Sequence, residues 1–210
     1  MFTEEYYNTL KRSQIFQQKS INWGGLGSYQ YIQQLREIVQ QHRCETMLDY
    51  GCGKGLQYPP DAYNFAQLIG IQDYAMHDPA YKKYAELPSG TWDLVICLDV
   101  LPFIPESDID TVIDLMLSRC NKICVIALQK IPESKKNTSK KPFVCVRDHE
   151  WWQAKLSHEK IHLIWTNPTE TFNLNKFIEE NPFVIEPQPI VYVKLSMWAR
   201  FKNFVKSKFF

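Results

Sequence analysis

The chain of 210 residues has no surplus of either charge. Lys and Arg number 24 against 23 Asp and Glu, a formal net charge of +1. That balance gives no basic field to recruit nucleic acid, which is not an expected partner. Long hydrophobic runs are missing too. The longest aliphatic stretch near the middle, Leu94-Val95-Ile96-Cys97-Leu98, is far too short to span a bilayer. The chain opens Met1-Phe2-Thr3-Glu4-Glu5, acidic where a secretory leader would be basic, so a cytoplasmic protein is expected. Cys44, Cys52, Cys97, Cys120, Cys124 and Cys145 include no C-x-x-C pair, which argues against a zinc ribbon or a redox pair and for core fillers. A hydrophobic fraction of 45% and a charged fraction of 22% exclude disordered, collagenous and coiled-coil classes.

What is present alternates between helical and extended patterns. Residues 4–18 read as a peripheral helix, broken at Trp23-Gly24-Gly25-Leu26-Gly27-Ser28. Ser28 is placed to cap a helix over 29–42 with Ile32, Leu35, Ile38 and Val39 on one face. Thr46–Asp49 reads as a short buried strand running into Gly51, Gly53 and Gly55, then a helix or irregular segment to Leu68. A second strand is expected within Gly70–His77, a third over Trp92–Leu98 and a fourth over Ile123–Leu128. Pro105–Asp108 opens a helix carrying Ile109, Val112, Ile113, Leu115 and Met116. Residues 131–141 read as an exposed loop, 148–157 as a helix, and 160–165 and 191–195 as extended. Strands alternating with helices predict an α/β fold with a doubly wound, mostly parallel sheet. The expected organisation is a helical segment over 1–44, an α/β domain over 45–197 and a tail over 198–210.

The chemistry is concentrated in Leu48-Asp49-Tyr50-Gly51-Cys52-Gly53-Lys54-Gly55. It is not a dinucleotide fingerprint, because the third glycine of G-x-G-x-x-G would fall on Leu56, and it is not a P-loop. A carboxylate two residues before the first glycine repels phosphate and suits a cationic group such as an amino-acid ammonium. Asp78, at the end of the second strand, is placed to accept hydrogen bonds from both hydroxyls of a ribose. A ligand with an adenosine-like sugar, a cationic amino acid and no phosphate is implied. S-adenosylmethionine has all three features.

Leu48–Gly55 resembles motif I of class I S-adenosylmethionine-dependent methyltransferases, and Asp93–Leu101 resembles their fourth-strand segment. The longer run Leu48–Tyr58, with Asp78-Pro79 and Trp151-Trp152, is similar to a narrower bacterial and phage group with no assigned substrate. The resemblance implies a Rossmann-like fold, with cofactor contacts at Asp49, Tyr50, Gly51, Cys52, Gly53, Gly55, Asp78 and Asp99. It implies methyl transfer to a small-molecule or glycan acceptor, with Asp99 beside the sulfonium; where the acceptor needs a general base, the candidates by position are Asp99, His149 and Glu150. The chain departs from the family pattern at Pro102-Phe103 and Phe143, where polar groups are expected, and the span from Asp78 to Trp92 is too short for the usual third strand. These departures keep open an alternative, a cofactor-binding module with little or no turnover. No Asn/Asp-Pro-Pro-Tyr-like motif points to nucleic-acid amino groups as acceptor.

Two further patterns need separate readings. His158-Glu159-Lys160-Ile161-His162 matches H-E-x-x-H, but that zinc motif requires a helix and the residues after it look extended, so no metal site is expected. Trp198–Phe210 combines four basic residues with large aromatics and no acid. It suits either a terminal helix on the core or a peripheral contact with an anionic membrane surface.

Overall fold

A computed structural model describes residues 1–19, 25–59, 63–131 and 143–166. All of them belong to one compact unit, Met1–Leu174. The second unit, Asn175–Phe210, holds the expected strand at 191–195 and the basic tail, and these lie outside the described residues, as does most of the 131–141 loop.

Five strands make the sheet: β1 (Thr46–Tyr50), β2 (Asp73–His77), β3 (Trp92–Leu98), β4 (Cys120–Gln129) and β5 (Ile161–Thr166). Their order is β2-β1-β3-β4-β5 and every pairing is parallel. In β3 and over residues 123–128 of β4 the sequence is near-continuously apolar, as expected of parallel strands covered on both faces. Leu48, Tyr50, Val95, Cys97, Cys124, Ile126 and Leu128 point to one face and pack with α4 (Ile109–Ser118) and α5 (His149–Lys155). The alternate positions Met47, Leu94, Ile96, Val125 and Ala127 are equally buried on the other face. Further buried apolar side chains outside the first cluster include those of α2 (Ile32–His42) and α3 (Phe65–Ile69), which pack on each other. The fold is therefore a Rossmann-like, doubly wound α/β sheet. The span between Asp78 and Trp92 holds a 3-10 turn, Lys82–Tyr84, and no strand, so β2 is the sheet edge among the described residues.

Some expectations need correction. Ser28 caps nothing: it sits inside a 3-10 turn, Leu26–Tyr31, entered through Gly25 at φ 88°, and α2 begins only at Ile32 with no side-chain cap. Of the two alternatives expected between the glycine turn and Leu68, residues 51–59 are irregular and α3 begins at Phe65, where the Asn64 side chain accepts a hydrogen bond from the Ala66 amide. As expected, the H-E-x-x-H residues are not helical. The His158 Nδ1 accepts from the Lys160 amide in a turn, and His162 lies on β5. Among the described residues, no helix is long and apolar enough to cross a membrane.

α1 (Glu4–Lys19) is the unusual element. Thr3 caps it, its hydroxyl accepting from the Tyr6 amide at 3.2 Å while donating to Asp108 Oδ2 at 2.5 Å. The Thr3 amide adds a 2.8 Å bond to Asp108 Oδ1. Burial pushes the Asp108 carboxyl up, but these bonds and one from the Ser107 hydroxyl hold it below the usual carboxylate range. At the other end of the helix, Gln17 reaches Asp78 and Gln14 reaches the Pro79 carbonyl. α1 is thus pinned at one end to the segment after β3 and at the other to the segment after β2.

Candidate functional site

Strand order sets the position of the site. From β1 the chain crosses to β2 on one side and then to β3 on the other, so a crevice opens where the order reverses, beyond the carboxyl ends of these strands. A cavity of about 380 Å³ lies there. That is within the range of ligand pockets, roughly 300–1,000 Å³. Its walls include Asp49 and Tyr50 at the end of β1, Gly51 and Gly53 after it, Asp78 after β2, Asp99 after β3 and Gln129 at the end of β4. The sheet converts residues far apart in sequence into one row of carboxylates along its edge.

Each carboxylate is held differently. Asp49 is 2% exposed and sits at the penultimate position of β1. Its Oδ2 accepts from the Tyr58 hydroxyl at 2.7 Å and from Gln57 Nε2 at 3.1 Å, whereas Oδ1 accepts nothing from the described residues. Burial pushes its carboxyl up to about 7, against the lowering effect of Tyr58 and Gln57, with Asp78 adding to the rise. Asp78 is 7% exposed. It accepts from the Gly53 amide at 2.8 Å, the Ala80 amide at 2.8 Å and Gln17 Nε2 at 3.3 and 3.4 Å. Burial raises its pKa, and the Ala80 and Gly53 amides oppose the rise. Asp99 adopts a left-handed backbone, φ 59°, immediately after β3. Its amide is tied to the Ala127 carbonyl, and its Oδ2 accepts from the Tyr31 hydroxyl and Gln129 Nε2, both at 2.9 Å.

The glycine turn is closed on itself. The Gly51 and Cys52 amides both donate to the His77 carbonyl, at 2.7 and 3.2 Å, and the Gly53 amide goes to Asp78. No cradle of free amides is left for a phosphate, in agreement with the acidic surroundings. Gly51 is required by packing: at φ 91°, a Cβ there would lie 2.3 Å from Val100 Cγ2. Removing that Cβ lets the loops after β1 and β3 meet.

Six of the eight expected contact residues, Asp49, Tyr50, Gly51, Gly53, Asp78 and Asp99, line the cavity; Cys52 and Gly55 do not. Cys52 is buried behind the turn, its thiol pushed far up by burial, and Gly55 faces Tyr84 and Met76. His149 also lies away from the cavity, on the first turn of α5 with its ring 4.9 Å from that of Trp165. Trp152 is part of the core below, and Trp151 stands against it edge-on.

The sequence reading missed the roof. Tyr6, Thr9, Leu10, Ser13 and Gln17 of α1 all line the cavity, as do Gly25, Gly27 and Ser28. Thr9, Ser13 and Gln17 recur every four residues and are nearly fully buried, a polar stripe on the inner face of a helix. Gln17 is 1% exposed, and its Oε1 is buried with no hydrogen-bond partner among the described residues. The available signal was this four-residue polar spacing, which a search for apolar periodicity passes over. Pro102, Phe103 and Phe143 meet on the same cavity. The Val144 and Cys145 amides donate to the Pro102 carbonyl, which sets the Phe143 ring 4.7 Å from Phe103. No protein-family model matches this chain, and no curated protein matches it.

Proposed function

We propose that this cavity binds S-adenosylmethionine and that the protein transfers its methyl group to a small-molecule acceptor. The observation that carries the reading is a row of three carboxylates at the sheet's switch point beside a glycine turn whose amides are already used. A cationic, phosphate-free nucleoside suits that chemistry and a nucleotide does not. The unbonded Oδ1 of Asp49 is the acceptor for the ammonium of the methionine end. Asp78 accepts from the ribose hydroxyls, with Gln17 beside it. Asp99, fixed by Tyr31 and Gln129, supplies negative charge near the sulfonium.

When bound, the cofactor supplies a methyl carbon attached to a positively charged sulfur, transferable to an acceptor lone pair. The protein contributes alignment and exclusion of water through the roof of α1. The cavity tyrosines are not poised as a general base for the acceptor. Tyr6 is pushed up to about 12 by burial first, then by Asp108 and Asp78, and Tyr50 is raised further, mainly by burial. The acceptor supplies the lone pair, and its proton, where it has one, leaves to a cavity carboxylate or to solvent.

Thermal denaturation with ligands tests the cofactor site. At 100 times its Kd, S-adenosylhomocysteine is expected to stabilise the chain by about 2.7 kcal/mol, whereas ATP at the same concentration leaves the melting temperature unchanged. Stabilisation by ATP alone would reverse the assignment. The second reading, a module that binds without turnover, is favoured by the apolar wall at Pro102, Phe103 and Phe143. It is separated by supplying methyl-labelled donor with pooled acceptors: binding without labelled product supports the module.

A further inference from the structure

The two ends of the cavity differ in chemistry, and α1 gives their direction. Thr3 is bonded to Asp108, after β3, and Gln17 to Asp78, after β2, so the helix runs from one end of the crevice to the other. Tyr6 and Gln17 are roughly 16 Å apart along it at the standard helical rise. The Gln17 end contains Asp78, Gly53 and Asp49. The Tyr6 end is walled by Tyr6 and Leu10 from the helix, by Phe103 and Ile104 after β3, and by Phe143, with Pro102 and Pro105 between them. Apart from the Tyr6 and Thr9 hydroxyls, these are carbon surfaces. The Tyr6 phenol stays neutral, and its ring stacks on Phe2 at 4.0 Å. Among the described lining residues Lys130 alone is cationic, and it stands exposed at the end of β4.

We infer that the Tyr6 end is the acceptor subsite and that it takes the ring of a neutral, apolar small molecule, not a saccharide. The inference rests on the cofactor reading above, which assigns the other end. A sugar carries a hydroxyl on nearly every carbon, and with only the Tyr6 and Thr9 hydroxyls at this end, most of those buried here would lose their water without gaining a partner. A flat ring loses little water and gains close contact with three aromatic side chains. The same residues that depart from the polar family pattern, Pro102, Phe103 and Phe143, make the wall. Their apolar character then selects the substrate and does not by itself mark lost function.

The test uses the full chain, with S-adenosylhomocysteine present and absent, and two probes: 2-naphthol for a neutral ring and methyl α-glucopyranoside for a saccharide. 2-Naphthol is expected to bind saturably and to show intermolecular nuclear Overhauser contacts to the rings of Phe103 and Phe143, while the glucoside shows no binding. Phe103→Ala is expected to weaken 2-naphthol about tenfold or more and to leave S-adenosylhomocysteine affinity within about threefold. Should that variant not fold, the Overhauser contacts in the wild-type chain decide. Glucoside binding in this cavity, no 2-naphthol binding, or 2-naphthol contacts confined to other surfaces would overturn the inference. Absence of S-adenosylhomocysteine binding alongside 2-naphthol contacts at Phe103 would remove the cofactor reading and leave an apolar ring site standing.

Discussion

At the scale of the residue, Asp49 shows most clearly a side chain kept against folding stability. Its carboxyl titrates at about 7 in the folded chain, mainly through burial, and near 3.9 in an unfolded one. The folded state therefore holds the proton more tightly. The associated stability is fully present below about pH 4 and is lost as pH rises through 7. Asp49→Asn removes that loss while still offering an oxygen to Tyr58 and Gln57. The variant is expected to match wild type in urea denaturation near pH 4 and to exceed it at pH 8 by on the order of 2–4 kcal/mol. Equal stabilities at pH 8 would show that Asp49 carries no such penalty. Gly51 gives a second residue-scale prediction. Gly51→Ala meets both the positive φ and the Val100 contact, and is expected to cost on the order of 2–4 kcal/mol. Adding Val100→Ala should restore the steric part only, so a double-mutant cycle giving no coupling energy would contradict the packing argument.

At the scale of the element, α1 is a roof tied down at its two ends. Thr3→Ala removes two hydroxyl-mediated bonds, the cap to the Tyr6 amide and the one to the buried Asp108 carboxylate. The expected cost is about 1–2 kcal/mol, with faster amide exchange confined to residues 4–19 and β1 and β3 unchanged. Uniform loss of protection across the sheet would show that α1 belongs to the cooperative core and is not a separable cover. The roof was hard to read in sequence because its inner face is polar. Helix reading looks for carbon side chains every three or four residues; Thr9, Ser13 and Gln17 have the spacing without the hydrophobicity. Ser28 misled for a related reason. It has the chemistry of a cap, but Gly25 turns the chain three residues earlier and places Ser28 inside the tighter 3-10 turn.

At the scale of the whole molecule, the parallel sheet was legible because strands buried on both faces leave continuous apolar runs, and Trp92–Leu98 was found to the residue. β4 begins three residues earlier than its apolar core because Asn121 and Lys122, both exposed, continue the strand at its start. The site was legible along the sheet edge, where Asp49, Asp78 and Asp99 follow strands in order. It was not legible across the crevice, where the roof and the Phe103–Phe143 wall depend on packing between segments distant in sequence. Asp78 connects the two: it ties the turn at Gly53, the chain at Ala80 and the roof at Gln17. Asp78→Asn keeps an acceptor in place, and is expected to weaken S-adenosylhomocysteine by about tenfold to a hundredfold, the worth of charge-assisted hydrogen bonds, with the fold intact by circular dichroism. Unchanged affinity would take Asp78 out of the ribose site.

Calorimetric titration with S-adenosylhomocysteine at pH 7, repeated in buffers of different ionisation enthalpy, bears most directly on the whole reading. An ammonium settling on Asp49 lowers its pKa and expels the fraction still protonated. The wild-type chain should therefore bind one ligand and release about half a proton, and Asp49→Asn should bind at least about tenfold more weakly with no proton release. No heat from well-folded wild-type protein, or equal affinity and proton count in the two chains, would contradict it.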